Sequence, residues 1–202
     1  KMKIGKGLSK KELVAIMEVI ESARGCDDKR DVQNLVIRVK DLFDADYCVC
    51  ALGRISGNGI LEPSAIINGN YPEEWVNMYK SERFYTRDPV IKFHSQFVMT
   101  QLWSDTFKFY NDKETIKFLN SASDFGLKYG ISSGVHDPEL GNTSLFSFAS
   151  NHQEFSLHHK KVMDIVIPHL HNALAGICEL ERPVQMDNIP DVIGGSQIIK
   201  YM

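Results

Sequence analysis

Apolar residues recur along this chain with two different periods, and the switches between them mark out its elements. Ser9 and Glu12 form a capping box, and Leu13, Ile16, Met17 and Ile20 follow at helical spacing, which predicts an amphipathic first helix with that stripe against a surface. A second helix opens on Asp28 and Asp31 and carries Val32, Leu35, Val36, Val39 and Phe43 as one apolar stripe. The period then changes. Tyr47 to Ile55 is apolar on both faces, as expected of a strand buried between layers, and Gly57-Asn58-Gly59 supplies a hairpin turn. The return strand, ILEPSAII, carries Pro63, whose missing N–H suits an edge position or a bulge.

Residues 72–82, 89–96 and 113–125 return to helical spacing. Two further strands are predicted at Ile131 to His136 and Thr143 to Ser150, separated by the turn signals Asp137-Pro138 and Gly141-Asn142. A long last helix runs from about Ser156 to Leu180 with Val162, Ile165, Leu170, Ala173, Leu174 and Ile177 inward, and Pro168 should bend it. After Arg182 no period is sustained, and Pro183, Pro190 and Gly194-Gly195 read as a linker or tail. The expectation is one domain over residues 1–182 with 183–202 leading out of it. Antiparallel strand pairs with helices before, between and after them predict an α+β fold, its antiparallel sheet sandwiched between helical layers as α/β/α.

Composition narrows the function. With 202 residues and 43% apolar content the chain can bury a substantial core, while a net charge of -3 and a pI near 6.2 give no basic field for a phosphate backbone. Direct DNA or RNA binding by this stretch is not expected. No run approaches the ~18 apolar residues of a membrane helix and no secretory signal pattern is seen, so a cytoplasmic protein without a membrane partner is expected. Cys26, Cys48, Cys50 and Cys178 are irregularly spaced and read as small hydrophobes rather than disulfides or metal ligands.

Tyr71, Trp75 and Tyr79 fall at i, i+4 and i+8, which places them along one helical face, and spacing alone reads as core packing. Asp88 before Pro89 is a good N-cap with proline at the first helical position. Ser147 shares a strand face with Thr143, Leu145 and Ala149, where its hydroxyl can bond the backbone or a ligand. Gly130-Ile131-Ser132-Ser133-Gly134 matches the nucleophile elbow of hydrolases, but that elbow needs a strand before the serine and a helix after it. Here a helix end precedes and a strand follows, so no enzyme is expected. The pairs His158-His159 and His169/His171 lack the i,i+4 spacing of a chelating pair, and no metal is expected.

The stretch YPEEWVNMYKSERFYTRDPV, then Trp103 in QLWSD, then GISSGVHDPELGNTSLFSFAS, resembles the autoinducer-binding domain of LuxR-type transcriptional regulators, the bacterial receptors for acyl-homoserine lactones. The likeness covers most of residues 30–180. It implies a sensor domain rather than an enzyme, with an acyl-homoserine lactone as ligand, no cofactor, and a homodimer. DNA would be reached only through a helix-turn-helix output module, for which the residues after 180 offer no counterpart. By the resemblance, Trp75 would donate to the lactone carbonyl, Asp88 would accept the ligand's amide N–H, and Tyr71 and Ser147 would hold the acyl carbonyl. Tyr79 and Trp103 would wall the pocket, and Val90 and Leu145 would line the acyl tail. His136 and Asp137 depart from the family's apolar pattern and place the pocket's far wall in question. Two alternatives stand beside this reading: a LuxR-like receptor for a different small molecule, and a PAS- or GAF-like regulatory domain fused to a signalling enzyme.

Overall fold

Ser9 caps α1 (Lys10–Arg24): its hydroxyl accepts from the Glu12 N–H at 3.2 Å, and the Glu12 carboxylate accepts from the Ser9 N–H at 2.8 Å. Asp28 caps α2 (Lys29–Leu42), accepting from the Asp31 N–H at 2.9 Å. These come from a computed structural model that describes residues 7–56 and 61–180. The turn expected at Gly57-Asn58-Gly59 and the tail after Arg182 lie outside the described residues. The stripe expected to face inward on α1 is corrected: Ile16, Val19 and Ala23 are buried, while Leu13 and Met17 are 40% and 63% exposed. The reason is what α1 packs on. It meets the helices α2 and α7 (Leu157–Leu180) rather than a sheet, and a helix seam covers a narrower stripe than a broad surface does.

The strands are β1 (Tyr47–Ile55), β2 (Leu61–Asn68), β3 (Gln101–Leu102), β4 (Tyr129–Ser133), β5 (His136–Asp137) and β6 (Asn142–Ser150). They form one antiparallel sheet in the order β2-β1-β6-β4-β3, with β5 also paired to β6. β2 is therefore the edge strand that Pro63 called for. Pro63 faces Gly53 where the register shifts, a bulge in which a Cβ at Gly53 would come within 2.2 Å of the Glu62 carbonyl oxygen. The strand expected over Ile131 to His136 breaks at Gly134 and Val135 into β4 and β5. The two-residue β3 carries no period and was not expected.

Alternation along β1 and β6 divides the protein into two layers. Cys48, Cys50, Leu52, Phe146 and Phe148 face the first, filled by α1, α2 and α7, where Phe43 meets the Phe148 ring edge-on at 5.2 Å. α7 runs through Pro168 to Leu180 and buries Val162, Leu170, Ala173, Leu174 and Ile177 as expected, with Ile165 half-buried. On the opposite face lie α3 (Glu73–Ser81), α4 (Pro89–Phe97), the one-turn α5 (Trp103–Thr106) and α6 (Lys113–Asp124). This is the expected α+β sandwich. Cys48 and Cys50 are buried thiols, their ionisation pushed far up by burial. Among the described residues no helix is long and apolar enough to cross a membrane.

Gly53→Ala should lower stability by about 2 kcal/mol, since only a backbone shift at the bulge relieves the clash. Thermal unfolding should then fall by roughly 4–8 °C, and an unchanged midpoint would mean that the bulge tolerates a side chain.

Candidate functional site

The second layer is aromatic where the first is aliphatic. Trp75, buried on α3, lies within 5.6–5.8 Å, centroid to centroid, of the rings of Tyr79, Phe84, Phe118 and Phe125. Tyr71 was expected on the same helical face, but α3 begins after it. Asn68, at the end of β2, holds Tyr71 instead, accepting from its N–H at 2.7 Å and donating to its carbonyl at 3.0 Å. Its ring meets Tyr47 of β1 edge-on, so Tyr71 belongs to the junction of sheet and helix layer. Neither the Trp75 indole N–H nor the Tyr71 hydroxyl makes a hydrogen bond among the described residues.

Asp88 caps α4 as predicted, one carboxylate oxygen accepting from the Val90 N–H at 2.8 Å. The other oxygen accepts from the Tyr79 hydroxyl at 2.8 Å. Asp88 is 8% exposed and has no ion-pair partner among the described residues. Burial pushes its carboxyl from 3.8 up to about 6, against the pull of these donors. Burial, and then the Asp88 charge, push the Tyr71 and Tyr79 phenols well up, so both remain protonated donors. The local chemistry is one acceptor-rich carboxylate beside donors that are not all satisfied.

The sheet supplies the floor. Ladder pairing puts Val49, Ser147, Ser132 and Gln101 in one row across β1, β6, β4 and β3, on the face toward α3–α6. Trp103 Nε1 donates to the Ser132 hydroxyl at 2.8 Å, and the Ser132 and Ser147 hydroxyls lie 2.8 Å apart. When Ser132 donates to Ser147, the Ser147 proton is left for a further acceptor. Gly130 makes the Trp103 position available, since a Cβ there would lie 2.3 Å from the indole. Val90 is buried in the aromatic layer, and its carbonyl accepts from the Gln101 side chain at 3.1 Å. Leu145 lies two residues before Ser147 on the same strand face, buried opposite Ala51. It stands outside the aromatic cluster.

The structure thus gathers Tyr71, Trp75, Tyr79, Val90 and Trp103 in one layer, ties Asp88 to Tyr79, and connects Ser147 through Ser132 to Trp103. Ser132 and Gly130 were missed as site residues; their signal was the alternation of β4 in register with β6. Ser132 sits within a strand and bonds Trp103 and Ser147, not a histidine, so the elbow-like pattern has neither its turn nor its base. His136 is exposed and bonds Thr143 Oγ1 at 2.8 Å, which puts that polar residue at the sheet rim. Among the described residues no group of three or more His, Cys, Asp or Glu side chains is arranged to hold a metal.

The family model of the autoinducer binding domain matches residues 28–174. The transcriptional activator LuxR of Aliivibrio fischeri is 24% identical over 144 residues, covering 71% of this chain and 56% of that protein. RaiR of Rhizobium etli is 25% identical over 120 residues, covering 56% and 48%. The chain spans about half the length of these curated relatives. Among solved structures, CepR2 of Burkholderia cenocepacia, described as N-acylhomoserine lactone dependent, superposes with a TM-score of 0.65 at 19% identity over 84% of this chain and 96% of that one. Escherichia coli SdiA in complex with octanoyl-rac-glycerol gives 0.67 at 18% identity, over 85% and 69%. These structures share its fold.

Asp88→Asn should stabilise the ligand-free protein at pH 7, because the amide keeps the cap and a bond to Tyr79 without a buried charge. The folded carboxyl holds its proton up to about 6, against 3.8 ordinarily, so its cost is absent below pH 3.8, grows as pH rises, and is complete above 6. The stability difference between variant and wild type, from denaturant midpoints, should therefore grow over that window to about 1–3 kcal/mol. A pH-independent difference would contradict the buried charge.

Proposed function

The chain belongs to the autoinducer-binding domain family, and from that premise we propose that it is a sensor enclosing an acyl-homoserine lactone between the sheet and α3–α6. The observation that carries this reading is the Asp88 carboxylate, buried without an ion pair among the described residues, in the same apolar, aromatic layer as a Trp75 indole N–H and a Tyr71 hydroxyl that make no hydrogen bond among those residues. A lactone amide offers one N–H and several carbonyl oxygens on an oily chain, and enclosure requires each of them to find a partner. Asp88 accepts the amide N–H in a charge-assisted bond. Trp75 donates to the lactone carbonyl, and Tyr71 and Ser147 hold the acyl carbonyl. Tyr79 and Trp103 form walls.

The acyl tail follows the sheet floor past Val90. From Ser147 an apolar row continues through Leu145, Ala51 and Ile66, of which Ile66 is 57% exposed and gains most from being covered. No reaction and no cofactor enter this scheme. The protein acts in the cytoplasm as a homodimer, and ligand binding, by completing the core, stabilises it and orients an attached DNA-binding module.

A second reading has an observation behind it: the similar SdiA fold is described in complex with octanoyl-rac-glycerol, an acyl ester with hydroxyl donors in place of an amide. Asp88 can accept from either. Thermal unfolding with a panel of lactones of varied length, and with monoacylglycerols, separates the two. At a hundredfold excess over Kd the bound ligand contributes about 2.7 kcal/mol, a rise of roughly 5–10 °C. The expected rise is selective for lactones and lost in Asp88→Ala and Trp75→Phe; a rise with monoacylglycerols alone supports the second reading, and none with either overturns both. Ala51→Phe should shift the preferred lactone to a shorter chain, and an unchanged length profile would remove the tail from this row.

A further inference from the structure

α1 presents outward a stripe that no other described segment buries. Val14 and Met17 are 50% and 63% exposed, with Leu13 beside them at 40%, while Ile16, Val19 and Ala23 on the opposite side are buried. Lys10, Val14, Met17 and Glu21 follow one another at intervals of four, three and four residues. At 3.6 residues per turn they fall within about 60° of one line along the helix. Read along that line, the order is cation, apolar, apolar, anion. The arrangement is symmetric about the midpoint between residues 15 and 16.

We propose that this stripe is a self-association surface, on which two copies of the chain pair their α1 helices antiparallel about a twofold axis. An axis through that midpoint sets Val14 against the partner's Met17, Met17 against the partner's Val14, and Lys10 and Glu21 against the opposite charge at each end. A second copy is thus the partner whose charges match. The charges are available for it. Among the described residues Lys10 has no ion pair and Glu21 meets only Arg24, at 3.9 Å with side chains 82% and 76% exposed, too solvated to compete. The same stripe in parallel register would oppose like charges. A contact about 16 Å long is smaller than the roughly 800 Å² per partner of a standard interface, so the pairing is weak and concentration-dependent.

This inference names the surface for the self-association part of the proposed function and does not rest on the lactone. Sedimentation velocity of the 202-residue chain, from about 10 to 500 µM, should move from monomer toward dimer. Met17→Glu and Lys10→Glu should each raise the dissociation constant about tenfold or more, and Lys10→Glu combined with Glu21→Lys should return it close to wild type. Being exposed, these changes should leave the unfolding temperature unmoved, which separates surface from fold. A monomer at every concentration overturns the proposal, and so does a dimer that ignores Met17→Glu or is not restored by the double exchange. In that last case association remains and only its surface is wrong. Lactone-induced stabilisation, followed in the same variants, reports on the ligand reading separately.

Discussion

Nine consecutive buried residues, Asn142–Ser150, are the constraint on which the rest of this fold is arranged. A strand buried on both faces needs a cover on each, and its polar residues need partners inside the protein. Both needs are met by distant parts of the chain. Ser144 bonds His171 of α7 at 2.9 Å, Ser147 bonds Ser132 at 2.8 Å, and Ser150 donates to Asp46 at 2.8 Å. His94 of α4 donates to the Ser144 carbonyl at 2.8 Å, a contact that favours the charged ring, but burial outweighs it and pushes the ionisation down to about 4, so the ring is neutral at pH 7. One strand therefore carries contacts from the helix that Asp88 caps and from the long α7, and sets the spacing between the two layers.

The two layers solve different problems. Around Phe43, Phe148 and α7 the side chains are mostly aliphatic or phenyl, and packing carries most of that layer, with Ser144–His171 among its few polar contacts. In the opposite layer polar groups are distributed through the aromatic packing. Asp88 lowers the stability of the ligand-free protein, and its two hydrogen bonds offset that cost only in part. A stability-only solution would replace it with a neutral cap. The observed one keeps a charged acceptor at that cost, which the proposed function accounts for, since a ligand donor would give the charge its value.

Legibility in the sequence followed the range of the interactions. The α2 stripe, the two-faced β1, the long α7 and the Asp88-Pro89 cap all depend on neighbours within a turn or on strict alternation, and all were readable. The fold class followed from their order. Tyr71 was read along the face of the helix expected over 72–82, whereas Asn68, not helical periodicity, holds it. β3 and α5, which deliver Trp103, are too short to carry a period. The α1 stripe misled because several apolar residues compete for one narrow seam, and the choice of Ile16, Val19 and Ala23 is made by α7, more than a hundred residues away in the sequence. The candidate site residues were singled out by family resemblance; physical spacing alone led to core packing for the rings and capping for Asp88.

Capping and the ligand recognition proposed for Asp88 are compatible because they would use different parts of the carboxylate. The oxygen that accepts from Val90 fixes the side chain at the first turn of α4, where the helix dipole favours negative charge. The oxygen that accepts from Tyr79 keeps a second lone pair, and Tyr79 sits in the ring cluster around Trp75. A ligand N–H arriving there adds a donor to an acceptor already held in place, so little side-chain freedom remains to be lost on binding. The same packing ties α3, α4 and the aromatic cluster to that one carboxylate. Filling its remaining hydrogen-bond capacity therefore acts on the whole helical layer rather than on a single loop.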